Sequence, residues 1–225
     1  MSSPTQVPAV REVRIPSGEV WLHGDLALPP DFSGLVLFAD GSGRGRHSAL
    51  SREVADQLQR SGIATLLFDL LTAQEEQTDI HTREHRFDIA LFTSRLQDAT
   101  TWAMAQPELQ QVPIGYFGAS TGSPGAIIAA ARLGRHIAAV VSCGGRPDLA
   151  GPVALAAVTA PTLLIVGGAD HGGVESNEQA LGYLRCEKKE LVVVHGATHL
   201  IEEHRTLELV AQLAASWFGA RLARE

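Results

Sequence analysis

Apolar positions along this chain follow two alternating rhythms. Nearly unbroken apolar runs at residues 34–39, 63–68, 113–117, 137–142 and 161–166 have the length and composition of strands buried on both faces. Between them apolar residues recur three or four apart. Leu50, Val54 and Leu58 predict a helix over residues 48–60, and Ile89, Phe92, Leu96 and Ala99 predict another over residues 87–104. The start of the chain is different. Residues 10–15 alternate apolar and polar, Ser17-Gly18 supplies a turn, and residues 20–28 resume the strand pattern before Pro29-Pro30-Asp31 ends it, so the chain opens with a hairpin. Further on come a small-residue helical run at 126–133, a short helix at 177–184, a last strand at 190–194 and a long amphipathic helix at 203–222. Residues 70–86 are polar and long for a connection, which marks a functional or mobile segment.

The alternation of strand and helix predicts an α/β fold: a mostly parallel central sheet, opened by an antiparallel hairpin, with helices on both faces and no large cap. Residues 1–9 read as a flexible N-terminus and residues 10–225 as one domain. Hydrophobic residues make up 45% and charged residues 19% of the 225, the balance of a soluble globular chain. The net charge of −7 argues against a general affinity for nucleic acid or an anionic membrane. Cys143 and Cys186 are too few for a disulfide framework, and the first ten residues have neither a basic start nor an apolar core segment. Pro161 and Gly167-Gly168 break the longest apolar run, at 153–169. These features together predict a cytoplasmic protein.

In open parallel sheets, sites form beyond the carboxyl ends of the strands. Asp40, Asp69, Ser120, Cys143, Asp170 and His199 all fall at such ends. The stretch with the most specific mechanics is Gly118-Ala119-Ser120-Thr121-Gly122, a G-x-S-x-G between a predicted strand and a predicted helix. A serine on such a turn stands above the sheet edge, with the N–H groups of the following helix aimed at the reacting centre. Its hydroxyl needs a base, and the base needs a carboxylate to orient it. Downstream lie Asp170 after one strand and His199 after the next. Other assignments stay open on spacing alone. Ser120 can be a helix cap in an ordinary turn and Asp170 a turn residue beside Gly172-Gly173. His195 and His171 are rivals to His199.

The order Ser120, Asp170, His199 is that of the α/β-hydrolases. With Val166-Gly167-Gly168-Ala169-Asp170, Gly196-Ala197-Thr198-His199 and the loop Asp40-Gly41-Ser42-Gly43, the chain resembles that superfamily, and more closely its small, capless dienelactone-hydrolase-like group. The resemblance extends from about residue 20 to the terminal helix. It implies Ser120 as nucleophile, His199 as general base, Asp170 as its orienter, and the N–H groups of Thr121 and Ser42 as the oxyanion hole. It also implies an enzyme that cleaves small carboxylic esters or lactones through an acyl-enzyme, with no metal or organic cofactor. The alternative is a hydrolase-fold small-molecule binding protein whose catalysis is lost. Two departures matter. Ser120 stands where the best-known dienelactone hydrolases carry cysteine, and Asp40-Gly41 stands where the wider family often has His-Gly. Arg44 and Arg46 are candidates to hold a substrate carboxylate or phosphate, against a reading as solvated side chains. Cys143 is a third candidate lining residue, against a reading as a small buried one.

Rival motifs are less specific. His81-Thr82-Arg83-Glu84-His85 matches an inverted zinc-protease motif, within a polar connection. Gly41-Ser42-Gly43-Arg44-Gly45-Arg46 lacks the last glycine of a dinucleotide loop. Residues 67–72 faintly resemble a phosphoribosyltransferase strand end, but Leu70 follows Asp69 where that family typically pairs acidic residues. Asp40 must turn away from a developing oxyanion. It is expected to bind the N–H groups of residues 43–45, or Arg44 or Arg46.

Overall fold

The computed structural model describes residues 9–41, 43–198 and 204–223. The opening hairpin is β1 (Val10–Ser17) and β2 (Val20–Ala27). The buried apolar runs become β3 (Leu35–Asp40), β4 (Ala64–Phe68), β5 (Ile114–Ala119), β6 (Ile137–Cys143) and β7 (Thr162–Gly167), and β8 (Lys189–Val194) closes the sheet. The helices are α1 (Ala49–Arg60), α2 (Ala73–Thr82), α3 (Ile89–Ala105), α4 (Gly122–Leu133), α5 (Gly151–Ala157), α6 (His171–Tyr183) and α7 (His204–Gly219).

The eight strands lie in the order β1-β2-β4-β3-β5-β6-β7-β8. β2 runs against both neighbours, and every pairing from β4 to β8 is parallel. Right-handed crossovers then decide which face each helix covers. The chain moves one way from β3 to β4, so α1 packs on one face. From β4 onward it moves the other way, so α3, α4, α5 and α6 pack on the opposite face. The two apolar layers follow. Leu50, Val54 and Leu58 of α1 and Val210, Ala214 and Phe218 of α7 cover Val36, Phe38, Phe117 and Val141. Phe92 and Leu96 of α3, Ile127 of α4 and Leu155 of α5 cover Leu37, Leu66, Tyr116 and Leu164. The reversal of direction at β3 and β5 opens a crevice at their carboxyl ends.

Three elements differ from expectation. The connection after β4 is not a plain loop: it contains α2, ten residues long. Helix α6 starts at His171, before the expected residue 177, because the Asp170 carboxylate caps it by accepting the Gly173 N–H at 3.0 Å. A short helix, α5, forms within the apolar run that follows β6.

Phe218 is fully buried between α7 and the sheet. Phe218→Ala should lower unfolding free energy by about 3–5 kcal/mol, read from urea denaturation with the slope unchanged.

Candidate active site

β5 delivers the chain to Ser120 and α4 takes it away. Between them Ser120 adopts φ +52°, in the left-handed region that costs a non-glycine residue about 1–2 kcal/mol. Close packing on both sides imposes this conformation. A Cβ on Gly118 would stand 2.9 Å from both Cβ of Ala126 and Cα of Ser123, and a Cβ on Gly122 would run into the carbonyl of Ala39. Only glycine lets strand, turn and helix approach this closely. The Ser120 N–H donates to the Cys143 carbonyl at 3.2 Å, and the Ser120 carbonyl accepts from the Ser123 N–H at 3.1 Å. Ser120 and Thr121 are half-buried. Thr121 is the N-cap residue of α4, and its hydroxyl donates to the Gly41 carbonyl at 2.8 Å, tying the turn to the loop after β3. The first N–H groups of α4 have no partner within the helix, so they point with the helix dipole towards the turn.

The loops after β7 and β8 are joined. Gly168 N–H donates to the Val194 carbonyl at 2.8 Å and Ala169 N–H to the Ala197 carbonyl at 3.0 Å. Asp170 therefore sits on a loop bonded to the one that runs out to Thr198. His199 and Ser42 lie outside the described residues. Asp170 also lies in the electrostatic field of Arg146, whose guanidinium Asp148 binds with both oxygens at 2.8 and 2.6 Å. That hydrogen bonding, more than the Asp170 charge, raises the Arg146 pKa further.

The other candidates fall in different places. Cys143 is fully buried beneath the turn, in the layer under α1 and α7, so it does not reach a ligand. Burial, and then the Asp40 charge, push its thiol well above the usual range. Arg44 is exposed. Arg46 is taken up by two carboxylates, at 3.3 Å from Asp25 and 3.4 Å from Asp69, and its N–H donates to Asp69 at 3.1 Å. Arg46 is thus a structural tie rather than a free anion site. Asp40 is buried and turned back under its loop. It accepts a 2.6 Å hydrogen bond from the Ser51 hydroxyl on α1, a partner the sequence reading did not name. The Asp40 side chain shares the α1 face of the sheet, because β-strand alternation sets it with Val36 and Phe38.

Residues 70–86 hold ion pairs that the sequence reading missed. Arg95, 4% exposed, donates to both Glu75 oxygens at 2.7 Å and to the Leu70 carbonyl at 2.5 Å. Burial opposes the Glu75 charge, but the Arg95 and Thr72 hydrogen bonds win and hold its pKa at about 2. Buried Asp79 accepts from the N–H groups of His85 and Arg86 and from the Arg86 side chain at 2.5 Å. The signal was present in Thr72-Ala73-Gln74-Glu75, the capping-box pattern that starts α2. His81 and His85 do not share a helical face, because α2 ends at Thr82 and Arg83 turns left-handed. Among the described residues no group of three His, Cys, Asp or Glu could hold a metal ion, and no helix is long and apolar enough to cross a membrane.

No family model matches the chain. A Mycobacterium tuberculosis protein, known from two strains and provisionally named a phosphoribosyl transferase, is 51% identical over 209 residues, 92% of this chain and 45% of that protein. The chain thus spans a little under half the length of these curated relatives. The crystal structure of a dienelactone hydrolase from Anabaena variabilis is 50% identical, with a TM-score of 0.93 over 97% of this chain and 100% of that one. A serine hydrolase without a lid from Xanthomonas campestris has the same fold at 19% identity, with a TM-score of 0.73 over 96% of each chain.

Two outcomes follow from these contacts. Ser51→Ala removes a hydrogen-bond partner from a buried carboxylate and should cost about 1–3 kcal/mol in urea unfolding. The Glu75 pKa lies below its unfolded value of 4.5, so its contribution is present above that pH and lost as pH falls towards about 2. Thermal midpoints measured from pH 5 to pH 2 should therefore fall more steeply in the wild type than in Glu75→Gln.

Proposed function

The chain belongs to the small dienelactone-hydrolase-like group of the α/β-hydrolase superfamily, and from that premise we propose that it is a serine hydrolase cleaving small carboxylic esters or lactones through an acyl-enzyme. One observation carries the reading: Ser120 is held at a left-handed backbone angle between β5 and α4, with a helix N-terminus behind it. A strained serine in that position is what a nucleophile needs and what a capping residue does not.

In the proposed reaction the Ser120 hydroxyl adds to the ester carbonyl while His199 takes its proton. The N–H groups of Thr121 and Ser42 bind the oxyanion, each such donor contributing roughly 3–4 kcal/mol. The tetrahedral carbon then expels the leaving oxygen, which takes the proton from His199 and departs as an alcohol. In a lactone it stays as the far end of the acyl chain. Water, deprotonated by His199, attacks the acyl-Ser120 ester and restores the free serine and a carboxylic acid. Asp170 orients the imidazole and stabilises its charged form. The bonding between the loops after β7 and β8 supports this pairing, because it brings the loop of Asp170 beside the residues leading to His199.

A second reading takes the relatives' name at face value, as phosphoribosyl transfer. The residue that suggested it, Asp69, is followed by buried Leu70 rather than a second carboxylate and is bound to Arg46. We assign that name to the part of the relatives that this chain does not span. Release of pyrophosphate from phosphoribosyl pyrophosphate and a nucleobase by the purified chain would revive the second reading.

An activated fluorophosphonate should label the wild type and leave Ser120→Ala unlabelled. Turnover of nitrophenyl esters and simple lactones should fall on the order of a million-fold in Ser120→Ala. The wild-type kcat/KM should rise with one ionisation near neutral pH, as His199 loses its proton. Folded wild type that takes no label and hydrolyses no substrate in the panel would point instead to a binding protein that has lost catalysis.

A further inference from the structure

We propose that α2 is a specificity gate over the Ser120 site, and that the Glu75–Arg95 pair is the latch that fixes its position. The proposal rests on the reading of Ser120 as a nucleophile. It starts from where the segment is tied at each end. At its start, Asp69 follows β4 and binds Arg46 of the loop after β3. At its end, Phe92 in the first turns of α3 lies against that same loop: a Cβ on Gly41 would stand 2.9 Å from the Phe92 ring. Phe92 also abuts the first turn of α4, with its Cβ 3.4 Å from where a Cβ of Gly125 would be. Both ends are therefore fixed at the rim of the crevice that holds Gly41 and Ser120. Between these two ends in sequence lies a ten-residue helix, about 15 Å long. Burial first, and then the Asp69 charge, raise the pKa of Glu76, next to Glu75, while the His47 charge opposes them.

The way α2 is held differs from the other long helices. Its one buried residue is Asp79. It has no apolar face packed on the sheet, and its position depends on the Thr72–Glu75 capping box, the Arg95 fork on Glu75 and the Asp79–Arg86 contacts. Elements with little buried apolar surface open at low free energy. A salt bridge and directional hydrogen bonds can hold such a helix in one place and still release it. The segment also carries two exposed apolar side chains, Ile80 at 66% and Phe87 at 62%. Phe87 stands just before the α3 turn that touches the Gly41 loop. On this reading the latched helix limits how long an acyl group fits beside Ser120, and the substrates are esters or lactones with short acyl chains. Glu75 and Arg95 are positioning residues, acting through α2 without touching substrate.

The test uses the full chain with nitrophenyl acetate through nitrophenyl octanoate. Glu75→Gln should raise the octanoate-to-acetate ratio of kcat/KM about tenfold, mainly through a lower KM for the longer ester. Amide hydrogen exchange across residues 73–82 should quicken by tenfold or more in the variant, with exchange in β5 and α4 unchanged. An unaltered chain-length ratio in a variant with intact β5 and α4 protection would overturn the gate, and unaltered α2 exchange would overturn the latch. Faster exchange in β5 and α4 as well would also overturn it, since the pair would then support the whole fold. If the wild type hydrolyses no ester of the series, the reading as a hydrolase fails. The exchange comparison still decides separately whether Glu75 fixes α2.

Discussion

The close approach of three backbones at the end of β5 is the constraint from which the rest of the crevice follows. Ala39 of β3, the turn at Ser120 and the first residue of α4 come so near that a side chain at Gly122 would collide with the Ala39 carbonyl. The left-handed conformation of Ser120 is the one that lets the chain reverse in that space. Its cost is offset by contacts on every side, including the hydrogen bonds to Cys143 and from Ser123 and the hydroxyl of Thr121 on Gly41. The Thr121 hydroxyl ties the turn at Ser120 to the loop after β3.

Three side chains near this edge, Asp40, Arg46 and Cys143, are engaged or buried within the protein. The Asp40 carboxylate, at the carboxyl end of β3, accepts a hydrogen bond from Ser51 of α1. Arg46, a sequence candidate for holding an anionic ligand, is neutralised by Asp25 and Asp69. Cys143 is buried and kept protonated. Among the described residues at this edge, Ser120 and Asp170 are half-buried and Arg44 is exposed.

Helix α2 is held by charge, where α1 and α3 are held by packing. Leu50, Val54 and Leu58 fix α1, and Phe92, Leu96 and Ala99 fix α3, by burial of apolar surface that has no single preferred bond. Glu75, Asp79, Arg86 and Arg95 fix α2 through bonds with direction. The contrast separates helices held by buried apolar surface from one held by directional bonds.

The sequence by itself determined the layered sheet. Buried runs such as residues 34–39 and 161–166 read correctly because a strand covered on both faces must be apolar throughout, and that is a local property. The turn at Ser120 was legible from its glycine spacing, although only Gly118 answers to crowding by neighbours in sequence, Ser123 and Ala126, while Gly122 answers to Ala39 on another strand. Residues 70–86 were read as a polar connection because α2 buries almost no apolar surface and shows no hydrophobic period. Its partner, Arg95, is twenty positions from Glu75 and belongs to another helix. The fates of Asp40, Arg46 and Cys143 were likewise decided in tertiary structure. A charged or sulfur side chain at a strand end can face a ligand or the interior, and only the packing of α1 and the loop after β3 chooses between them. Spacing along a chain fixes which residues gather at one edge of a sheet, while the direction each side chain takes there depends on partners that are distant in sequence.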